Sequence, residues 1–373
     1  MLWILLFSMI VLLLAGELVV RLTGLTGSNI MRFFDKKNKI YKGKPKLKGK
    51  YKKKYISGTF QFNNEGWNST HDYFKEKKSN TCRIACLGGS ETEALQVDVD
   101  KAYPQILEDL LRVNGVMNEV YTFANFPITT IHGLHLARYV VEEFVPDILV
   151  VTLIGRDVLE IPGTENIHMK LLLDSGGNIK EVMPADCNVI AMPGNIYINL
   201  NIFRRSKLLI YLNLKLGVKL KLIKKVANVL PVIGRRTGAS NKKDSFTFTH
   251  LTTSKDDENG ELATRYVLEQ YKKIIRATGS KILFAFGPLH DNSFNWRLTT
   301  DELLEIKKRR SEMKLLLEEY VLSYLDLSDE FSSNYRLNKK KFDFLIDRHY
   351  NELGHKVIGG AIAQFLLKND YFK

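Results

Sequence analysis

Three side chains have the types that nucleophilic acyl transfer requires, in an order along the chain that one acyl-transfer architecture uses. Ser90 follows two glycines, Gly88 and Gly89, while Asp347 and His349 lie two residues apart near the carboxyl end of the chain. In such a set the imidazole takes the proton of the hydroxyl, and the carboxylate orients the imidazole and stabilises its charged form. A serine after a strand more often caps a helix. The interpretation therefore depends on the pairing of an early serine with a late Asp-x-His.

The residues around Ser90 predict the local structure that would present its hydroxyl. The apolar run 84–87 is typical of a buried strand, the glycines allow a tight turn, and residues 103–113 have the apolar spacing of a helix face. This order places Ser90 at the carboxyl edge of a sheet, near a helix N-terminus that favours negative charge.

The alternation of strands and helices continues along the chain and predicts a parallel sheet with right-handed crossovers. The predicted strands are residues 84–87, 120–124, 148–154, 281–286 and 324–327, and the predicted helices are residues 103–113, 131–144, 261–278, 303–320 and 357–367. A length of 373 residues with 45% hydrophobic content fits one large α/β domain with an insertion.

These elements and motifs resemble the SGNH, or GDSL, hydrolase superfamily over residues 83–160 and 281–367. The resemblance implies an SGNH/flavodoxin-like three-layer α/β/α domain with a parallel sheet. It also implies that Ser90 is the nucleophile of the Gly-Gly-Ser turn, completed by Asp347 and His349. The implied activity is that of a serine esterase or acyltransferase acting on ester groups, including O-acetyl groups, of a cell-envelope glycan or lipid.

The positions expected to bind the oxyanion depart from the family pattern. An ungapped alignment places Ile154 and Arg156 where the family has Gly and Asn, and Pro127 where it has a glycine that donates its N–H. Proline has no N–H to donate, and loss of one oxyanion donor typically costs on the order of 10²–10³ in turnover. The alternative to an enzyme is therefore a catalytically impaired binding protein with the same fold at the membrane.

Neighbouring groups are candidates to replace the missing donors. The guanidinium of Arg156 offers several donors and a permanent charge, and a shifted register would supply the backbone N–H of Asn125 or Ile128. With Gly89, and with Asp157, which would orient or pair with Arg156, they form the expected oxyanion and substrate-binding set. The sequence has no phosphate loop or metal-ligand cluster, so we expect neither a cofactor nor a metal.

The first residues predict a membrane anchor. Residues 2–15 are apolar except Ser8, and the segment extends past Glu17 to Val20, close to the length that spans a bilayer. A cleaved signal peptide is the competing interpretation, but no basic region precedes the segment and no clear cleavage site follows it. Membrane-anchored SGNH proteins begin similarly, with a Glu and then an Arg like Arg21.

The side of the membrane is predicted differently by two features. Basic residues follow the apolar segment and none precedes it, which by the positive-inside rule favours a cytoplasmic domain. The resemblance favours an extracytoplasmic domain, because anchored family members generally work outside. We adopt the extracytoplasmic orientation as the expectation.

The formal net charge of +14 is concentrated after the anchor, since Lys36–Lys54 contains eleven lysines. Such a tract is most often a solvated linker. Its position near a membrane segment favours anionic lipid or an acidic glycan as a partner, and nucleic acid is not expected. A structural protein that uses this tract for assembly is a third possibility.

These observations predict five segments. They are the anchor or uncleaved signal at residues 1–21, the basic linker and lead-in at 22–80, the first part of the hydrolase domain at 81–160, a partly basic amphipathic insertion at 161–260, and the second part of the domain at 261–373.

Overall fold

The computed structural model describes most of the chain. The described residues are 2–25, 27–28, 30–35, 37–38, 40–124, 130–153, 169–173, 179–184, 206–208, 211, 254–289, 291 and 293–372. The chain divides into two compact units, one of residues 1–26 and 196–255 and the other of residues 27–195 and 256–373.

The strands and helices are numbered along the described chain. The strands are β1 (Arg32–Asp35), β2 (Ile40–Gly43), β3 (Lys48–Lys53), β4 (Ile56–Gln61), β5 (Cys82–Gly88), β6 (Asn118–Ala124), β7 (Ile148–Leu153), β8 (Met169–Leu173), β9 (Ile179–Pro184), β10 (Lys281–Phe286), β11 (Ser323–Asp326), β12 (Asp343–Phe344) and β13 (Asp347–Tyr350). The helices are α1 (Leu2–Thr23), α2 (Ser90–Glu93), α3 (Tyr103–Val113), α4 (Thr130–Phe144), α5 (Ser254–Thr278), α6 (Thr300–Glu319), α7 (Ser328–Asn338) and α8 (Glu352–Lys368).

The central sheet of the larger unit has, within the described residues, five parallel strands in the order β11-β10-β7-β5-β6. Numbered by their own sequence order, these strands run 2-1-3-4-5, as in flavodoxin-like sheets. The order reverses at β5, which pairs with β6 on one side and β7 on the other. Ligands bind at the carboxyl ends of strands at such a reversal, and this is where Ser90 lies.

Helices cover both faces of the sheet because side chains alternate along each buried strand. Ala85 and Leu87 belong to the apolar cluster that includes α4, α5 and α6. Ile84 and Cys86 belong to the cluster that includes α3, α7 and α8. The expected three-layer α/β/α fold with a parallel sheet is confirmed.

The lysine-rich segment differs from the solvated linker expected at Lys36–Lys54. Strands β1 and β2 form an antiparallel pair, and β3 and β4 form another. Phe60 and Phe62 of this region are buried with Leu95 in an apolar cluster. Alternate residues of β4 pack inward, and Lys48 and Lys50 are exposed on β3. Lys42 of β2 is instead buried and donates a hydrogen bond to the Tyr139 hydroxyl at 2.7 Å.

Helix α1 belongs to the smaller unit and is long and apolar enough over Trp3–Thr23 to cross a membrane or serve as a signal sequence. Its large apolar side chains are mostly exposed. Of the insertion, the described part includes β8 and β9, which pair antiparallel. Most of the basic amphipathic stretch lies outside the described residues.

Candidate active site

Ser90 is the first residue of α2, directly after the turn that ends β5. A Cβ at Gly88 would collide with the hydroxyls of Thr92 and Thr152, so the turn requires glycine. Those two hydroxyls lie 2.7 Å apart, and Thr152 donates to the carbonyl of Leu87 at 3.1 Å. This buried network ties α2 to β5 and β7, and thereby fixes the position of Ser90.

Strand β13 brings Asp347 and His349 to the same place. The two residues lie two positions apart on the strand, so their side chains point to the same face. Nε2 of His349 lies 2.9 Å from Oγ of Ser90, a residue 259 positions away in the chain. Nδ1 of His349 is hydrogen-bonded to Oδ1 of Asp347. With the Nδ1 proton donated to Asp347, Nε2 is free to accept the proton of the Ser90 hydroxyl.

Strand β13, which carries His349, is held in place by hydrogen bonds on both sides along the chain. Before it, the carboxylate of Asp343 accepts hydrogen bonds from the backbone N–H groups of Asn295 at 2.6 Å and Trp296 at 2.9 Å. After it, the Asn351 side chain caps α8 by accepting the N–H of Leu353 at 3.0 Å. Such caps typically contribute about 1 kcal/mol.

The charges around this pair favour an ionised Asp347 and a more basic His349. Burial by itself raises the pKa of Asp347, but the hydrogen bond and charge of His349, and then Lys53, hold that pKa well below its usual range. Burial by itself lowers the pKa of His349, but the charge of Glu91 and then Asp347 raise it on balance. An imidazolium at His349 is therefore stabilised, as proton transfer from a nucleophile requires.

Lys53 is a member of this cluster that the sequence did not indicate. It ends β3, and its Nζ lies 2.7 Å from Oδ2 of Asp347. The Asp347 side chain is only 2% exposed, whereas that of Lys53 is 46% exposed. The alternation of lysines in residues 48–53 was the available signal, since it indicates a strand with two different faces.

Glu91 is a second acidic neighbour that the sequence did not single out. Its Oε2 accepts the backbone N–H of Tyr350 at 3.0 Å, which joins α2 to β13. Burial raises the pKa of Glu91 to about 7, against the lowering effect of His349. Glu91 and His349 therefore compete for protons near neutral pH.

Of the other expected site residues, Gly89 lies within the described residues and the remaining three do not. Gly89 precedes Ser90 and accepts the N–H groups of Thr92 and Glu93 with its carbonyl. Asn125, Arg156 and Asp157, expected at the oxyanion and substrate positions, lie outside the described residues, as do Pro127, Ile128 and Ile154. Among the residues that the structure describes, no cluster of three or more His, Cys, Asp or Glu side chains is placed to hold a metal.

Comparison with solved structures finds several proteins to which this chain is similar at low sequence identity. One match is an alpha/beta hydrolase enzyme from the metagenome of Lake Arreo, with 11% identity, coverage of 78% of this chain and 96% of that one, and a TM-score of 0.41. Another is a member of the lipolytic protein G-D-S-L family from Veillonella parvula, with 10% identity, coverage of 78% and 100%, and a TM-score of 0.37.

A third match is a catalytic mutant of an acetylxylan esterase from Geobacillus stearothermophilus, with 10% identity, coverage of 78% and 95%, and a TM-score of 0.36. No family model and no curated protein matches the sequence.

Proposed function

We propose that this protein is a serine ester hydrolase in which Ser90, His349 and Asp347 form the catalytic triad. The observation that carries the proposal is the 2.9 Å contact between His349 Nε2 and Ser90 Oγ, with Asp347 bonded to the other ring nitrogen. A nucleophile, a base in hydrogen-bond reach and a group that orients the base constitute the arrangement of covalent acyl transfer.

The reaction would proceed through an acyl-enzyme. Ser90 Oγ attacks the ester carbonyl as His349 takes its proton, and the tetrahedral intermediate collapses as His349 returns that proton to the leaving alkoxide. Water, activated by the same imidazole, then releases the acid and restores Ser90. Asp347 holds the imidazole in the required tautomer throughout and stays ionised, consistent with its depressed pKa.

The oxyanion would be held by the backbone N–H of Ser90 together with Arg156 or the N–H of Asn125. Gly89 and Asp157 complete the proposed substrate-binding set. In many acyl-transfer enzymes the largest source of rate enhancement is the stabilisation, by fixed donors in a water-excluded site, of the negative charge that develops on the oxyanion.

The proposed substrates are ester groups, such as O-acetyl groups, on a cell-envelope glycan or lipid. Helix α1 supports this choice, because it would tether the domain at a membrane surface. Transfer of the acyl group to a sugar hydroxyl in place of water would make the enzyme an acyltransferase. Product analysis with an acetylated oligosaccharide and a second, unacetylated sugar distinguishes the two activities.

We further propose that α1 is an uncleaved anchor with the hydrolase domain outside the cytoplasm. Glu17 accepts hydrogen bonds from the Ser206 hydroxyl at 2.6 Å and from the backbone N–H groups of Lys207 and Leu208 at 2.9 Å, and it pairs with Arg21 at 2.7 Å. Cleavage after α1 would remove the acceptor of these groups. Recovery of the full-length chain in the membrane fraction tests the anchor, and protection from external protease would contradict the orientation.

The exposed lysines of Lys36–Lys54 remain a proposed contact for anionic lipid. Lys48 and Lys50 are exposed on β3, and each lysine near a charged bilayer contributes about 1 kcal/mol at low salt. Sedimentation with vesicles of increasing phosphatidylserine content, at two salt concentrations, tests this contact.

A fluorophosphonate probe tests the enzyme proposal directly. We expect covalent labelling of the wild type, no labelling of Ser90→Ala, and at least a 10³-fold slower reaction for His349→Ala. Lys54→Ala, an exposed substitution near the site, should label normally. A folded wild type that neither labels nor hydrolyses p-nitrophenyl acetate would favour the binding-protein alternative.

A further inference from the structure

The lysines of strand β3 lie on two different faces of the β3–β4 pair. Lys48, Lys50 and Lys52 alternate with Gly49, Tyr51 and Lys53, so the two sets face opposite sides of the β3–β4 pair. On the inner side a Cβ at Gly49 would collide with Ser28 and Phe60, and Tyr51 packs against the cluster of Phe60, Phe62 and Leu95. Lys53 lies on this inner side as well. The packing of Gly49 and Tyr51 therefore holds the strand that directs the Lys53 side chain to Asp347.

The contact of Lys53 with Asp347 uses the carboxylate oxygen that His349 does not. Oδ1 of Asp347 is bonded to His349 Nδ1, while Oδ2 accepts from Lys53 Nζ at 2.7 Å. A carboxylate held at both oxygens cannot rotate without breaking one of the two bonds. The bond to Lys53 is charge-assisted because both groups are ionised, and it is shielded from water on the Asp347 side, where the carboxylate is 2% exposed, while Lys53 is 46% exposed.

We propose that Lys53 is a positioning residue of the triad, which fixes the orientation of Asp347 and moderates the negative charge that Asp347 presents to His349. The inference rests on the proposed function of the triad. Lys53 does not touch the reacting atoms and acts through Asp347.

The charged groups that face His349 come from several elements of the described chain. The charged groups are Asp347 on β13, Glu91 on α2 and Lys53 on β3, and the titratable His355 on α8 also faces His349. His355 is fully buried, and burial lowers its pKa to about 3, so it is neutral in the working range. Lys53 is thus the cation that opposes Glu91 and Asp347, and its removal should raise the pKa of His349.

The test is the titration of His349 in the full-length protein, followed by NMR of ¹³C-labelled histidine in detergent. The signal is assigned by its loss in His349→Gln. Lys53→Met removes the charge and keeps the length, Lys53→Arg keeps the charge, and Lys48→Met is the matched control on the outer side of β3. Melting temperatures establish that each variant is folded.

We expect the midpoint of the His349 titration to move up by about 0.5 pH unit in Lys53→Met, and to stay within about 0.2 unit of wild type in Lys53→Arg and Lys48→Met. The acidic limb of kcat/KM for p-nitrophenyl acetate should shift in the same direction. At its plateau kcat should fall about tenfold, as loss of orientation predicts, with KM nearly unchanged.

An unchanged His349 midpoint in folded Lys53→Met would overturn the inference, as would equal shifts in Lys53→Met and Lys48→Met. The NMR readout needs no turnover, so it separates the two claims. A wild type without esterase activity whose His349 still responds to Lys53→Met would refute the proposed function and keep the electrostatic role of Lys53.

Discussion

Replacement of Glu91 by glutamine should stabilise the protein increasingly as the pH rises. Burial raises the pKa of Glu91 from 4.5 to about 7. An acid with a raised pKa in the folded state contributes its full stability only below the unfolded pKa, and loses it as the pH rises through the folded pKa. The window is therefore about pH 4.5 to 7. At about 1.4 kcal/mol per pKa unit, the free energy of unfolding of the wild type falls by about 3 kcal/mol across this pH window.

Glutamine retains the shape of Glu91 and an oxygen that can accept the N–H of Tyr350, but it cannot ionise. The free energy of unfolding of Glu91→Gln minus that of wild type should thus increase by about 2 kcal/mol between pH 5 and pH 8. Urea unfolding in the same detergent at both pH values measures this difference.

Glu142→Gln, an exposed substitution on α4, is the control and should show no such trend. A stability difference for Glu91→Gln that is the same at pH 5 and pH 8 would refute the conclusion that desolvation raises the pKa of Glu91.

Three further predictions concern the acidity of His349, the turn at Gly88 and the hydrogen bonds of Glu17. Because the charge of Glu91 raises the pKa of His349, Glu91→Gln should move the acidic limb of kcat/KM to lower pH, and an unchanged limb or a shift to higher pH would contradict this electrostatic reasoning. Gly88→Ala should reduce fluorophosphonate labelling at least about 100-fold and lower the melting temperature, whereas Gly360→Ala, where a Cβ meets open space, should do neither; equal effects would contradict the steric account of the turn. Glu17→Ala should expose the chain near Leu208 to limited proteolysis, since Glu17 accepts the backbone N–H of Leu208, and an unchanged cleavage pattern would argue against this contribution of Glu17.

The sequence by itself determined the elements whose periodicity is long and apolar. Helix α3 was predicted with its observed bounds, Tyr103–Val113, because its apolar residues follow a strict helical period. Strand β10 was predicted equally well, since a run buried on both faces carries no competing polar pattern. The residue types of Ser90, Asp347 and His349 were sufficient to suggest their chemistry, because few functions need that combination.

Only the tertiary structure decided which charges surround His349. Lys53 and Asp347 are 294 residues apart, and a lysine that ends a strand looks, in sequence, like its solvated neighbours. Its inward direction depends on the register of β3 with β4 and on the packing of Phe60, which local composition does not encode. Glu91 likewise looks like an ordinary acidic residue in a first helical turn. Its contact with Tyr350 crosses the fold, and the desolvation that raises its pKa arises from this packing of α2 near β13, against the lowering effect of the Tyr350 hydrogen bond.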